Sequence, residues 1–286
     1  MSLTALALVI IAAFTHSTWN LLAKRAANCR HLIWFACSAG TFILLPATLW
    51  VLRGDWPKLG WKAAVFLLAT SVLHLFYFDS LQRGYRAGDL SVVYPLARGT
   101  GPLLSFGGAV LFLHERPTLL AVAGALLVVL GIMLLSGGLN LWRARTARAG
   151  IFWGAMTGVT IACYTLVDGY SVKVLLLSPI LVDFAETIFR AASLTPKAYM
   201  DWARVRIEFP TYWKHALGIA VLAPAGYILV LFAMKTAPVS HIAPAREMSM
   251  MVGAYFGSKL LAEGHLRRRM IASAMIATGV FGLVVG

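Results

Sequence analysis

The sequence predicts an all-α membrane protein of ten transmembrane helices, built from two inverted five-helix repeats. Three observations predict it. Of 286 residues, 60% are hydrophobic and 13% charged, with a mean hydropathy of +0.79. A soluble domain carries about 25% charged residues, so a large core alone does not explain the deficit. Apolar runs near the ~20 residues needed to cross a hydrocarbon layer recur along the chain. Lys and Arg gather in the short breaks between those runs, as in polytopic membrane proteins.

The first run, roughly 3–23, has no basic residue before it and Lys24 and Arg25 after it, which predicts a retained span rather than a cleaved signal. Runs near 31–52, 62–82 and 90–112 follow, separated by KRAANCRH, RGDWPK and RGYRAGD. The HERP turn separates 90–112 from 117–138, and NLWRARTAR precedes 149–171. The run near 177–195 is the weakest, because Asp183, Glu186 and Arg190 share one helical face. That face is either a solvated stripe on a peripheral helix or the wall of a water-filled cavity. The break from 196 to 212 is the longest and reads as an interfacial amphipathic turn. Runs near 213–234, 239–261 and 268–286 complete the set.

The net charge is +14, with a pI near 10.2. No nucleic-acid recognition motif accompanies that charge, so a nucleic-acid partner is not expected. Three cysteines, Cys29, Cys37 and Cys163, form no C-x-x-C pair, which argues against a disulfide framework or a zinc site. No metal or cofactor is expected.

The two halves echo each other. Arg98 precedes Glu115 by seventeen residues, and Arg246 precedes Glu263 by the same interval. Both intervals open near a proline, Pro95 and Pro244, and Gly131 and Gly279 keep the offset. With a small shift Tyr77 pairs with Tyr227 and Ala87 with Ala237, and THSTWNLL set over TIACYTLV places Trp19 over Tyr164. The shared order predicts repeats over 1–145 and 146–286. A unit of five spans ends on the opposite side of the bilayer from its start, so its copy is inverted, and a solute site lies near the midplane between the copies. Odd-numbered loops hold about sixteen Lys and Arg and even-numbered loops about six, which predicts cytoplasmic odd loops and outward termini.

Ten spans, the 5+5 duplication and the HERP turn resemble the EamA-type branch of the drug/metabolite transporter superfamily. The resemblance is carried by LARGTGPLLSFGGAVLFLHERPTLLAVAGALLVVLGIMLL and its echo APAREMSMMVGAYFGSKLLAEGHLRRRMIASAMIATGVFGLVV, with Glu115 and Glu263 as the acids before each repeat's last helix. It covers nearly the whole chain. It implies export of small metabolites, amino acids among them, and is most similar to the aromatic amino-acid exporters.

Candidate site residues are the polar and aromatic groups inside spans. His16, Trp19 and Asn20 share a stripe by the i, i+3, i+4 rule, and so do His74, Tyr77 and Phe78. Such stripes line a solute cavity or bridge neighbouring helices. Tyr94, Tyr164 and Tyr227 join them. Arg98 and Arg246 are either forked clamps for a carboxylate or, for Arg98 amid Pro95, Gly99, Gly101 and Pro102, a tether for carbonyls freed by a broken helix. Asp79, Asp168, Glu186 and Glu247 are candidate proton carriers. Met248, Met250 and Met251 form an adaptable wall or plain packing. Gly107, Gly108, Gly124 and Gly131 suit a closely packed hairpin.

The expected function is a multi-pass secondary transporter of the cell inner membrane, exporting small metabolites, amino acids including aromatic ones, by alternating access. Its partners are a small-molecule substrate and the lipid bilayer. The alternatives are transport of another metabolite or drug class, or an intramembrane enzyme. The enzyme reading has no H-E-x-x-H, G-x-S-x-G or P-loop to carry it, so no catalytic residues are assigned.

Overall fold

The chain is almost entirely helical where the computed structural model describes it, which is over residues 1–26, 28–87, 90–135, 147–252 and 266–286. Among the described residues the helices are α1 (Leu3–Arg25), α2 (Leu32–Asp55), α3 (Trp61–Ala87), α4 (Leu90–Phe112) and α5 (Leu119–Leu135). The second half gives α6 (Ala147–Lys173), α7 (Pro179–Met200), α8 (Trp202–Thr236), α9 (Val239–Ala245) and α10 (Leu266–Val285). Five of them, α1, α2, α3, α6 and α8, are long and apolar enough to cross a membrane by length and composition. Outward-facing Phe14, Phe42, Trp50, Phe76, Leu111 and Phe281 give the bundle an apolar exterior. Glu263 lies outside the described residues.

Local chemistry sets the helix ends. Ser2 caps α1 by accepting from the Ala5 amide at 3.2 Å, and Lys24 and Arg25 meet the negative end of its dipole. Ser178 caps α7, whose first residue is Pro179, preset for helix and lacking an amide to satisfy. Pro46, Pro196, Pro210 and Pro224 sit inside helices without ending them. In a membrane bundle, neighbouring helices satisfy the carbonyls that such prolines free.

Two expectations are corrected. The break at 196–212 is not an interfacial turn, because only Asp201 interrupts the helices. α8 has 35 residues, about 52 Å at 1.5 Å per residue, and so overshoots a ~30 Å hydrocarbon layer. Its first turns carry Arg204, Arg206 and Glu208 beyond the apolar stretch. The run at 239–261 is not one helix either: α9 stops at Ala245, Arg246 and Glu247 form a turn, and helix resumes at Met248.

The main pairs are α1 with α8, α3 with α6, α4 with α6 and α5 with α10, followed by α2 with α7 and α8, α3 with α7, and α4 with α9. Exchanging each helix for the one five places along turns α1–α8 into α3–α6 and α2–α8 into α3–α7. The pairs α2–α7, α4–α9 and α5–α10 map onto themselves. α4–α6 has no counterpart of similar extent among the described residues. Glycines allow the closest approaches. A Cβ on Gly124 of α5 would lie 2.6 Å from the Gly279 carbonyl oxygen of α10, and one on Gly131 would lie 2.7 Å from Ile276. Gly108 receives Leu166 of α6, whereas Gly107 faces open space. The small residues thus serve contacts between the two halves more than a local hairpin, and Gly107 serves none.

The Met1 ammonium donates to the Val284 carbonyl at 2.8 Å, so both chain ends share one face of the bundle. Two acids of the first half clamp helix starts of the second half there. Asp55 accepts from the Ser178 amide (2.7 Å) and pairs with Lys58 (2.7 Å), which also donates to the Leu176 carbonyl (3.1 Å). Glu115 accepts from the Val239 and Ser240 amides at 2.7 and 2.9 Å and pairs with Lys173 at 3.0 Å. It thereby caps α9, whose N-cap residue Pro238 offers no side-chain acceptor. His114, left-handed at φ 54°, turns the chain out of α4 to deliver that carboxylate. On the opposite face Glu208 accepts from the Arg30 and His31 amides at 3.0 and 3.1 Å and so caps α2. Asp201 there meets His31 at 3.1 Å and Arg30 at 3.3 Å.

Burial opposes the Glu115 charge, but the Ser240 and Val239 donors and Lys173 outweigh it and hold the carboxyl below its usual range. A depressed folded value means the contribution is full above the ordinary range and is lost as pH falls below about 4. Glu115→Gln is expected to lower stability in detergent by about 1–3 kcal/mol. Its difference from wild type should vanish on acidification; a pH-independent difference in thermal unfolding would refute the charged cap. Gly124→Val should lower the unfolding temperature far more than Gly107→Val, because only Gly124 meets backbone.

Candidate functional site

α9 breaks where a buried charge must be held. Past Ala245 the amides of Glu247, Ser249 and Met250 bond carbonyls three residues back, a tight non-α turn. The Ser249 carbonyl receives the Ser17 hydroxyl of α1 at 2.6 Å. This satisfies one group that the break releases inside the bundle. The turn points Arg246 and Glu247 to the same place, although neighbours in a regular helix diverge. Glu247 is fully buried, with Arg98 Nη1 3.4 Å from both its oxygens and Arg246 Nε 3.5 Å from Oε1. These separations exceed the ~2.7–2.9 Å of a tight charge-assisted bond. The Arg246 Nε has no hydrogen-bond partner at all. The three groups carry one surplus positive charge.

Arg98 does not serve a broken helix of its own, because α4 runs unbroken through Pro95, Gly99, Gly101 and Pro102. Its Nη2 lies 3.3 Å from His16 Nε2, and Trp19 Nε1 lies 3.3 Å from His16 Nδ1. A neutral imidazole has one acceptor nitrogen, so it satisfies only one of these two donors at a time.

Aromatic rings continue the wall. The Tyr164 hydroxyl accepts from Arg246 Nη2 at 3.3 Å, and its ring stacks on His74 with centroids 4.0 Å apart. Tyr77 meets Tyr164 edge-on at 5.7 Å, and Tyr227 meets His74 edge-on at 5.5 Å. Offset and edge-on contacts of this kind are the favourable aromatic geometries.

Beyond His74 lies an acidic group. His74 Nδ1 lies 3.0 Å from the Thr70 carbonyl and 3.2 Å from the Thr70 hydroxyl, so it finds a partner there as donor or as acceptor. Nε2 lies 2.8 Å from Glu186, a contact that needs a hydrogen on one atom or the other. Arg190 also reaches Glu186, at 3.2 Å. Asp168 accepts from the Tyr227 hydroxyl at 2.5 Å. Asp183 is buried, and its Oδ2 has no hydrogen-bond partner.

These groups surround a cavity of about 430 Å³. Of the sequence candidates, His16, Trp19, Asn20, His74, Tyr77, Phe78, Arg98, Tyr164, Tyr227 and Arg246 all line it. The side chain of Tyr94 lies outside the described ones. The Asp183, Glu186 and Arg190 face lines the cavity rather than forming a solvated outer stripe, and Glu247 and Ser249 join it. Asp168 stands behind the wall. Asp79 is half exposed and paired with Arg83 at 2.7 Å, away from the cavity. Met248, Met250 and Met251 pack into the apolar core and do not line the cavity. The lining favours the helix ends remote from the chain termini, from Trp19 and Ala23 in α1 to Ile33 in α2 and Gln82 in α3. Toward the termini the bundle is filled by Val9, Phe106, Val172, Leu231, Val239 and Ile242.

Residues 3–137, the stretch holding α1–α5, match the EamA-like transporter family. This stretch is similar to the EamA-like transporter domain. EamA-like proteins are membrane transporters of small molecules, not enzymes. No curated relative matches the chain by sequence. A solved crystal structure matches it with a TM-score of 0.72 at 18% identity, covering 98% of each chain. That likeness speaks to the fold alone, and it extends through the half that follows the stretch matched by the family.

Removing the Glu247 charge leaves two buried guanidinium groups facing each other. Glu247→Gln is expected to destabilise the protein by about 3–5 kcal/mol, as for breaking a buried pair. Thermal unfolding in detergent reads this, and a loss no larger than that of an exposed Asp79→Asn control would refute the central role of Glu247.

Proposed function

We propose that this protein is a secondary transporter of the cell inner membrane that exports small metabolites, amino acids including aromatic ones, by alternating access. The observation that carries the reading is the central cavity, walled by stacked aromatic rings beside a surplus guanidinium charge. A planar guanidinium suits a carboxylate, and a ring stack suits an aromatic or apolar frame. The aromatic amino-acid branch rests on that ring content and on no relative.

Two inverted repeats over 1–145 and 146–286 form the frame of the mechanism. Three features support them: helix pairing largely unchanged by a five-helix exchange, a family match ending two residues beyond α5, and Asp-Trp pairs at Asp55–Trp56 and Asp201–Trp202. Each such pair closes the second helix of its half, and each acid reaches the start of the second helix of the other half. Alternating access then rocks one half on the other. The Asp55 and Glu115 clamps close the chain-end face, and the cavity favours the odd-numbered loops, whose Lys and Arg assign them to the cytoplasm. The conformation is inward-facing on this reading, ready to load from the cytoplasm.

Counterflow of radiolabelled amino acids in liposomes holding the purified protein tests the reading. Phenylalanine, tyrosine and tryptophan are expected to exchange, and Trp19→Ala, His74→Ala and Tyr77→Ala to cut exchange about tenfold with insertion intact, the scale of losing one or two aromatic contacts. No exchange with any amino acid in the wild type would sink the substrate assignment.

A further inference from the structure

The first three turns of α8 carry a surface that the described residues leave uncovered. Val205, Glu208 and Ala216 turn inward and are buried. Trp202, Arg206, Phe209 and Trp213, at i, i+4, i+7 and i+11, share another face of the helix. Trp202 is 44% exposed, Phe209 53% and Trp213 43%. The Arg206 guanidinium lies 5.8 Å from the centre of the Trp202 ring, and the Lys214 ammonium lies 5.6 Å from that of Trp213, both cation–π distances. The charge of this surface is one-sided. Asp201 and Glu208 are the only acids between Glu186 and Glu247, and both turn to the start of α2, where they meet Arg30 and His31. Lys197, Arg206 and Lys214 are exposed, and none of them pairs with either acid.

Two neighbouring helices measure where this surface lies. α7 leaves the chain-end face after Ser178 and reaches Asp201 in 22 residues, about 33 Å. α2 runs from the Glu208 contact to the Asp55 clamp in 24 residues, about 36 Å. Both lengths match a ~30 Å hydrocarbon layer crossed with a modest tilt, which puts Asp201 and Glu208 at its boundary. α8 returns from there to the chain-end face with 35 residues, about 52 Å. The excess requires an oblique path, and Pro210 falls within its first turns. The exposed rings therefore lie along the membrane boundary, the layer where Trp rings settle and cations meet lipid phosphates. A second copy of the chain is a poor cover, because a two-fold contact would set the same cations against each other. A zwitterionic lipid brings its own cation beside the phosphate. We propose that the Trp202–Lys214 surface of α8 binds the headgroups of anionic phospholipids. Arg206 and Lys214 meet the phosphates, and Trp202, Phe209 and Trp213 seat their rings among the upper parts of the acyl chains. On the topology proposed above this is the cytoplasmic leaflet, whose lipids are the anionic ones.

The test is native mass spectrometry of the full chain released from detergent after mixing with equal amounts of phosphatidylglycerol and phosphatidylcholine. The wild type is expected to retain phosphatidylglycerol about tenfold or more over phosphatidylcholine, since each cation at an anionic surface contributes about fivefold. Arg206→Gln combined with Lys214→Gln should bring phosphatidylglycerol down to the level of phosphatidylcholine. Arg53→Gln combined with Lys62→Gln removes two cations that lie over Trp50 and Trp61 elsewhere on the bundle, and should leave the preference in place. Equal retention of the two lipids by the wild type overturns the proposal whether or not the variants fold. So does an equal loss in the two double variants, because the lipid would then answer to net charge and not to this surface. A dimer that Trp202→Ala with Trp213→Ala dissolves, in a protein without lipid preference, would give the surface to a second copy instead. Lipid retention is read without any solute, so a protein that fails in counterflow still decides the proposal.

Discussion

One buried carboxylate organises the centre of this protein. Glu247 has no exposure, and two arginines from different halves of the chain converge on it. Neither guanidinium would be tolerable there alone, because an isolated charge at the bilayer centre costs several kcal/mol. The helix break follows from the same constraint. A regular helix would send Arg246 and Glu247 about 100° apart, and the turn after Ala245 brings them together. The Ser17 hydroxyl and the tight amide bonds of the turn make up part of what the break forfeits. The separations around Glu247 are loose, and its one negative charge offsets only part of the charge of the two arginines.

That centre divides the molecule into a filled side and a hollow side. Toward the chain ends, aliphatic side chains close the bundle and two acids of the first half hold helix starts of the second. Both acids act on backbone amides at helix N-termini, where the dipole favours negative charge. Such a clamp depends on where a helix begins rather than on a long, flexible side chain opposite, so a small rotation of one half breaks it cleanly. On the hollow side Glu208 and Asp201 meet the start of α2 by the same chemistry with the halves exchanged. The two faces thus use like devices in opposite directions.

Much of this was legible in the sequence, and the failures have physical reasons. Apart from the runs near 213–234 and 239–261, the apolar runs mark the described helices within about five residues, because hydrocarbon thickness fixes their length. The stripes of His16, Trp19 and Asn20 and of His74, Tyr77 and Phe78 reached the cavity because helical periodicity puts each set on one face. Proline was the misleading signal. Pro102 in α4 and Pro224 in α8 sit in continuous helix, whereas Pro244 precedes a true break. What separates them is tertiary, namely whether a buried charge nearby needs the chain to turn. Glu247 was undervalued for that reason, since in an assumed helix it faces away from Arg246. The 196–212 stretch misled differently, because its charges mark a helix leaving the membrane and not a helix ending.

The halves therefore share a plan and differ at the point that matters for chemistry. Arg98 comes from an unbroken helix and Arg246 from a broken one, so their shared sequence context does not give them equal roles. Arg98 is carried on α4, with His16 and Glu247 both within 3.4 Å of its nitrogens. Arg246 sits at a turn, touches Tyr164 and brings Nε to 3.5 Å from Glu247. An inverted duplication of identical helices would place two equivalent arginines about the axis and give a centre indifferent to the direction of a solute. Breaking one helix and keeping the other removes that equivalence. The carboxylate that the break supplies leaves a single surplus charge where two bare arginines would repel each other. The asymmetry gives the site one orientation.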